Sequence, residues 1–261
     1  AVGRACHPTS KMNWYEGFAK QTSLSHLLKM SLVKLDSQHF WDQMEQLPVD
    51  ALAPIEREIV GRVVERFAIP LETLLYDATN FFTFIASTNT HAELPARGHN
   101  KQKRHDLRQL GVALLCTRRD GLPLWHQMYG GQVPDAKSFS SSLAAFRQSL
   151  VQMGQNLDPL TLVYDKGNVS RANQSLVEAS RLHYVASVPA SSQRALVAEA
   201  NPSMQPVSLD EEEQVLAFQT RRILWDVERT VVVLLSERLR EGQKRGILQH
   251  VASAQRWLAR L

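Results

Sequence analysis

The stretch that decides the fold is Leu74-Leu75-Tyr76-Asp77-Ala78-Thr79-Asn80-Phe81-Phe82-Thr83-Phe84-Ile85. Aromatic and β-branched side chains are frequent in it, which is typical of a β-strand. Immediately upstream, Ile69-Pro70 ends a helical pattern, because a proline and the residue before it both disfavour helix. The chain is therefore predicted to change from helix to strand at Leu71.

Four more strands are predicted downstream of this one. They lie at 110–116, 122–129, 160–165 and 184–189, with helices at 138–153 and 169–182. The first two flank Asp120-Gly121, a strong hairpin signal. An order of three strands, helix, strand, helix and strand predicts a mixed α/β sheet. This order is similar to the ribonuclease H-like fold, in which three antiparallel strands precede helix-linked parallel strands.

The regions on either side of these strands have different patterns. Residues 1–70 are predicted to be helical, and Ile55, Ile59 and Phe67 lie on one stripe of an amphipathic helix. After the fifth strand we expect a connection at 191–206, strands at 215–225 and 228–236, and a charged helix at 237–261. The sequence thus predicts an α-helical N-terminal region, 1–70, followed by a ribonuclease H-like domain, 71–261.

Composition and charge restrict the class of protein. The 261 residues carry a formal net charge of +4, which permits a polyanionic partner without requiring one. No apolar run approaches the roughly 18 residues of a membrane-spanning helix, and we recognise no signal peptide. Cys6 and Cys116 are far apart and lack metal-site spacing, so neither a disulfide framework nor a zinc site is expected, and a reducing cytoplasm fits best.

Two aspartates are the candidate catalytic residues. Asp77 lies within an apolar strand, where a carboxylate is costly unless it is paired or bound to a cation, and Asp165 ends the fourth strand. In a ribonuclease H-like sheet these strands are neighbours, so the carboxylates converge and suit Mg²⁺ or Mn²⁺. Such ions can drive the hydrolysis of a phosphodiester. Asp165 can equally be a turn residue, since Lys166-Gly167-Asn168 follows it.

A basic segment separates the first strand from the second. Its cations are candidates for contacting DNA phosphates without reading sequence, and Lys166 beside Asp165 is another. The alternative is a solvated loop, which most charge runs are. The candidate DNA-binding residues are Arg97, Lys101, Lys103, Arg104, Arg108 and Lys166.

Several motifs together resemble one known family. Tyr76-Asp77-Ala78-Thr79-Asn80-Phe81 resembles the first-aspartate motif of bacterial insertion-sequence transposases with a DDE triad, and Leu162-Val163-Tyr164-Asp165-Lys166-Gly167 resembles their second-aspartate motif. Between them, Arg97 to Gln109 and Gly130 to Asp135 are similar to further family segments, with Asn100 and Gly131 at positions where Ser and Asn are usual. The resemblance is to the branch whose catalytic domain carries a strand-rich insertion, which would begin at about 190–236.

The resemblance implies an activity and its partners. It implies hydrolytic nicking at insertion-sequence ends and strand transfer, with Mg²⁺ or Mn²⁺ held by Asp77 and Asp165. It also implies transposon-end and target DNA as partners, a homodimer that synapses two ends, and a bacterial cytoplasmic location at the nucleoid. The helices of 1–70 would then bind DNA or help assembly.

One family feature is missing from the sequence. The third acid, a glutamate in a Tyr-x-x-Arg…Glu…Lys motif, is not found, and Glu228, Glu237 and Glu241 lack its neighbours. We therefore expect the chain to end before that residue. Three hypotheses remain open: a DDE transposase, a non-catalytic DNA-binding or dimerisation remnant that could inhibit one, and a stand-alone ribonuclease H-like nuclease.

Overall fold

The computed structural model describes residues 6–32, 35–100, 102, 104–209 and 214–259. The chain divides into two compact units, residues 1–69 and residues 70–261. In the described part of the chain, no helix combines the length and the apolarity that crossing a bilayer requires.

The first unit is helical. Asp36 caps the helix that begins at Ser37, since its side chain accepts hydrogen bonds from the backbone N–H groups of Gln38 and His39, which would otherwise lack partners. The longest helix of this unit ends at Phe67, and Ala68 after it adopts a left-handed conformation with a φ of 46°. The α-helices whose bounds the structure describes in this unit are α1 (Trp14–Gly17), α2 (Leu24–Leu27), α3 (Ser37–Glu45) and α4 (Val49–Phe67).

The second unit is built on a five-stranded mixed sheet with the order β3-β2-β1-β4-β5. Strands β1, β2 and β3 pair antiparallel, whereas β4 is parallel to both β1 and β5. This is the arrangement of a ribonuclease H-like sheet, so the predicted fold class is confirmed. The strands are β1 (Thr73–Thr83), β2 (Arg108–Thr117), β3 (Pro123–Gly130), β4 (Thr161–Tyr164) and β5 (His183–Ala186).

One face of this sheet carries the main core. Helix α5 (Asp135–Gln152) packs on it, and the rings of Tyr76 and Tyr164 both contact Phe139, which is fully buried. Helix α6 (Arg171–Glu178) covers the same face, where Gln174 donates to the Tyr164 hydroxyl at 2.7 Å. The opposite face keeps large apolar side chains exposed, among them Leu75, Leu114, Met128 and Val185.

Residues beyond β5 form a second, three-stranded antiparallel sheet with the order β6-β7-β8. The predicted connection at 191–206 is wrong in part, because it contains a helix and a strand. Leu196 and Ala200, four residues apart on the helix, are both buried, which gives this short segment an apolar face to pack. The elements are α7 (Arg194–Ala200), β6 (Gln205–Ser208), β7 (Gln214–Leu224), β8 (Val227–Leu235) and α8 (Glu237–Leu258).

Candidate active site

The pairing of β1 with β4 places the two candidate aspartates side by side. Tyr76 lies opposite Tyr164 in this parallel ladder. Asp77 and Asp165 are the next residues of the two chains, and neighbouring strands lie about 4.8 Å apart. Asp165 retains an extended backbone, with φ −82° and ψ 162°. Both carboxylates therefore project to the side of the sheet opposite the two tyrosines, because side chains alternate along extended chains.

The expected burial of Asp77 is wrong. The residue is exposed, whereas Tyr76 before it is buried against α5. Successive side chains of a strand point to opposite faces of the sheet, so neighbouring residues of one apolar run can differ in exposure. Tyr76 faces α5, and Asp77 faces the uncovered side. The Asp77 carboxylate accepts a hydrogen bond from the Ala78 N–H at 2.8 Å. Its charge is therefore hydrated, and the cost of a buried charge does not apply to it.

A serine that the sequence analysis did not identify as a site residue holds the second aspartate. The Ser187 hydroxyl donates to Asp165 Oδ1 at 2.7 Å and accepts from the Lys166 N–H at 2.9 Å. Ser187 follows Ala186, which lies opposite Tyr164 in the β4–β5 ladder. Asp77, Asp165 and Ser187 thus occupy one row across three neighbouring strands, which we call the aspartate row. In the sequence, Ser187 lies inside the strand predicted at 184–189, and its position there does not mark it as a site residue.

The aspartate row supplies two carboxylates and no third. Among the residues that the structure describes, no group of three or more His, Cys, Asp or Glu side chains could hold a metal ion. Glu228 of β8 is paired with Arg221 of the neighbouring strand β7, and Glu237 is paired with Arg240 in the same helix, α8. Two carboxylates nevertheless fit Mg²⁺, which proteins commonly bind through one or two carboxylates together with substrate phosphates and water.

The candidate DNA-binding cations differ in what they contact. Arg97 is exposed and donates to the Ser87 hydroxyl at 3.3 Å, and the Lys166 side chain is exposed next to Asp165. Arg104 forms a two-point ion pair with Asp106, with both N···O distances 2.8 Å, and this contact lowers the pKa of the Asp106 carboxyl to about 2. Lys101 and Lys103 lie outside the described residues.

Arg108 uses its guanidinium within the chain. Nε donates to the Pro95 carbonyl at 2.6 Å and Nη2 to the Ala92 carbonyl at 2.7 Å, while Nη1 reaches the carbonyls of Ala86 and Asn89. A guanidinium offers five N–H donors in a fixed fork, so these bonds account for most of its capacity. Arg108 thereby ties the loop after β1 to the start of β2, and its geometry favours a structural role over contact with phosphate.

No protein-family model matches the chain, and no curated protein matches it either. Among solved structures it is similar to the cryo-EM structure of the piggyBac transposase synaptic complex with hairpin DNA, at 12% identity and a TM-score of 0.41, over 90% of this chain and 48% of that one. It is also similar to the Mos1 mariner paired-end complex with Mn, at 12% identity and a TM-score of 0.33, over 72% and 62%. A third similar structure is the Mos1 transposase paired-end complex with left transposon end, at 10% identity and a TM-score of 0.31, over 70% of this chain and 56% of that chain.

Proposed function

We propose that this chain is a DNA transposase that catalyses metal-dependent phosphodiester hydrolysis and strand transfer at insertion-sequence ends. The observation that carries the proposal is the aspartate row, in which Asp77 and Asp165 lie next to each other on the uncovered side of a ribonuclease H-like sheet. Carboxylates at this spacing repel one another unless a cation lies between them. The motif resemblance around both residues points to the same chemistry.

Each residue of the site has a distinct role in this proposal. Asp77 and Asp165 would hold Mg²⁺ or Mn²⁺, which supplies Lewis-acid activation of the phosphodiester and of the attacking hydroxyl. Ser187 fixes the orientation of the Asp165 carboxylate through its 2.7 Å hydrogen bond. Lys166 and Arg97 would attract backbone phosphates towards the row, a contact that positions DNA without reading its sequence. The partners are then transposon-end and target DNA, brought together by a homodimer.

A second function is favoured by one observation, the lack of a third carboxylate beside the row among the described residues. A chain with only two acidic ligands could bind DNA and dimerise without cleaving. It would then inhibit an active transposase by forming unproductive complexes. The two proposals agree on DNA binding and differ on whether Asp77 and Asp165 are needed for any chemistry.

Substitution of the aspartates separates these proposals. Asp77→Asn and Asp165→Asn are expected to lower nicking and strand transfer on insertion-sequence-end DNA by more than about a hundredfold, in either Mg²⁺ or Mn²⁺, while DNA affinity is retained. Asp120→Asn, in the exposed β2–β3 turn, is the matched control and should leave activity unchanged. DNA binding by the wild-type chain without cleavage in either metal would favour the remnant. Nicking without strand transfer would favour the nuclease hypothesis.

A further inference from the structure

We propose that Arg229 of β8 is a positioning residue for the aspartate row, because it holds in place the two segments that carry Asp165 and Ser187. The inference rests on the proposed function, since it concerns the site at which that proposal puts the metal. Arg229 would act through other residues: its contacts reach α6, which follows Asp165 in the chain, and β5, which precedes Ser187. The second sheet would thereby help to keep the row in the geometry that metal binding requires.

Arg229 joins the second sheet to the edge of the first. Its Nε donates to the Tyr184 hydroxyl of β5 at 2.7 Å, and its Nη2 pairs with the Glu178 carboxylate at the end of α6. The side chain of Arg229 is 9% exposed and that of Glu178 is 29% exposed. Partial burial reduces screening by salt, so this pair holds its partners more firmly than an ion pair in open solvent does. β8, β5 and α6 are therefore fixed to one another at this point.

The link to β5 supports the strand that leads into Ser187. β5 has four residues and lies at the edge of the sheet, where it pairs with β4 along one side. A short edge strand has few ladder hydrogen bonds to hold it, so a side-chain contact from outside the sheet contributes to its position. Ser187 comes three residues after Tyr184, and its hydroxyl donates to Asp165 Oδ1 at 2.7 Å. Displacement of β5 would therefore move the donor that orients Asp165.

The link to α6 supports the residue directly before Asp165. Gln174 lies one helical turn before Glu178, is buried, and donates to the Tyr164 hydroxyl at 2.7 Å. Tyr164 ends β4 and precedes Asp165. The Arg229 contacts and the row are therefore connected by an unbroken series of packed and hydrogen-bonded groups, the kind of network that can transmit a displacement.

The charges of α6 fit the hairpin of β7 and β8 better than they fit the helix itself. Arg171 is the first residue of α6 and Glu178 is its last. Both oppose the helix dipole, which favours anions at the N-terminus and cations at the C-terminus. Each meets the opposite charge in the hairpin, Asp226 for Arg171 and Arg229 for Glu178. The sequence thus places on α6 the two charges that attach the hairpin to it.

The turn between β7 and β8 has a conformation that its residues disfavour. Trp225 has a φ of 51° and Asp226 a φ of 68°, and turns of this kind usually contain Asn-Gly or Asp-Gly. A left-handed backbone is an outlier for a bulky residue, and it persists only where surrounding contacts impose it. Asp226 pairs with Arg171, and the Arg229 guanidinium carbon lies 5.4 Å from the centre of the Trp225 ring. These contacts supply that constraint.

Amide hydrogen exchange at Lys166, measured by NMR without divalent metal, tests the inference. The Lys166 N–H donates to the Ser187 hydroxyl at 2.9 Å, so its exchange rate reports on the row itself. Arg229→Met is expected to speed this exchange about tenfold, after correction for any change at the slowest amides of β1. Tyr184→Phe removes the hydroxyl that accepts from Arg229 and should speed the exchange as well. Because both substitutions break one link, the double variant should exchange no faster than Arg229→Met alone.

The controls separate positioning from a general loss of stability. Arg221 lies in the same hairpin, and Arg221→Met removes an exposed pair with Glu228, so it should leave Lys166 exchange unchanged. If Arg229→Met does not fold, Tyr184→Phe carries the test alone. Faster exchange in β7 and β8 with an unchanged rate at Lys166, or additive effects of the two substitutions, would overturn the inference.

Binding of Mn²⁺ keeps this inference separate from the proposed function. Electron paramagnetic resonance should show weaker Mn²⁺ binding by the Arg229→Met variant and unchanged binding by the Arg221→Met variant. A wild-type chain that binds no Mn²⁺ would contradict the proposed function, and the exchange rate at Lys166 would still decide whether Arg229 positions the row.

Discussion

The two sheets of the second unit are stabilised in different ways. The five-stranded sheet packs on α5 through side chains that are fully buried, including Leu74, Leu115, Phe139 and Phe146. In the three-stranded sheet Val215 is buried, whereas Ile223 is 74% exposed and Leu234 is 58% exposed. Burial of apolar area is the main source of folding free energy. The five-stranded sheet therefore has a core of its own, and the three-stranded sheet does not have a comparable one.

Arginines connect the three-stranded sheet to the five-stranded one. Arg229 of β8 donates to the Tyr184 hydroxyl of β5 at 2.7 Å and pairs with Glu178 of α6, and its side chain is only 9% exposed. Arg171 of α6 pairs with Asp226 in the β7–β8 turn. The aspartate row therefore lies on a sheet with an apolar core, whereas these contacts between the second sheet and the first are ion pairs and hydrogen bonds.

The largest expected effect comes from removing a core ring of the five-stranded sheet. Phe139→Ala should lower the free energy of unfolding by about 3–5 kcal/mol, because the ring is fully buried against Tyr76 and Tyr164. Ile223→Ala in the three-stranded sheet should change it by less than about 0.5 kcal/mol. Unfolding by denaturant measures the free energy of unfolding of both variants. An equal decrease in the two variants would contradict the conclusion that only the five-stranded sheet has an apolar core of its own.

A smaller and more local effect is expected at the arginine contact. Arg229→Met should lower stability by about 2 kcal/mol, because Glu178 then keeps a partly buried charge without this partner. Hydrogen exchange should accelerate in β7 and β8 and stay slow in β1 and β2. Arg221→Met is the control, since the Arg221–Glu228 pair is 74% and 60% exposed and such pairs contribute little. Uniform acceleration across both sheets would show that they unfold as one.

The sequence predicted the five-stranded sheet well because its signals are local. Runs of β-branched and apolar residues locate the strands, and Asp120-Gly121 locates the hairpin, where Gly121 has a φ of 62°. The second sheet was predicted less completely. Its β6 strand is short and fully exposed, so it has no apolar alternation to recognise. Helix α7 has seven residues, too few for a clear helical period.

The candidate site was only partly predictable. Asp77 and Asp165 were found from strand position and motif, but the exposure of Asp77 depends on which face α5 covers, a tertiary property. The contacts of Ser187 and Arg108 are also tertiary, since each joins residues far apart in the chain. A basic sequence predicts charge, yet it does not reveal that the Arg108 guanidinium is occupied by main-chain carbonyls.

The hydrogen bond of Ser187 predicts a moderate effect confined to the aspartate row. Ser187→Ala should weaken Mn²⁺ binding about fivefold, because the Asp165 carboxylate loses its 2.7 Å donor. Ser187→Thr keeps the hydroxyl and should restore affinity. Electron paramagnetic resonance measures the Mn²⁺ affinity of each variant, and unfolding by denaturant measures its stability. Loss of stability with unchanged Mn²⁺ affinity would assign Ser187 a structural role only.

The smallest effect is expected from the exposed ion pair in the basic segment. Arg104 lowers the pKa of Asp106 from 3.8 to about 2. A carboxyl with a lowered pKa in the folded state stabilises it above the unfolded-state value, and this contribution is lost as the pH falls through about 2. An NMR titration should place the Asp106 midpoint near 2, and Arg104→Ala should return it towards 3.8. Because the pair is exposed, Asp106→Asn should barely change stability at neutral pH, unlike Arg229→Met. A midpoint that Arg104→Ala leaves unchanged would refute the pairing, and a large stability loss would show that exposed pairs also support the five-stranded sheet.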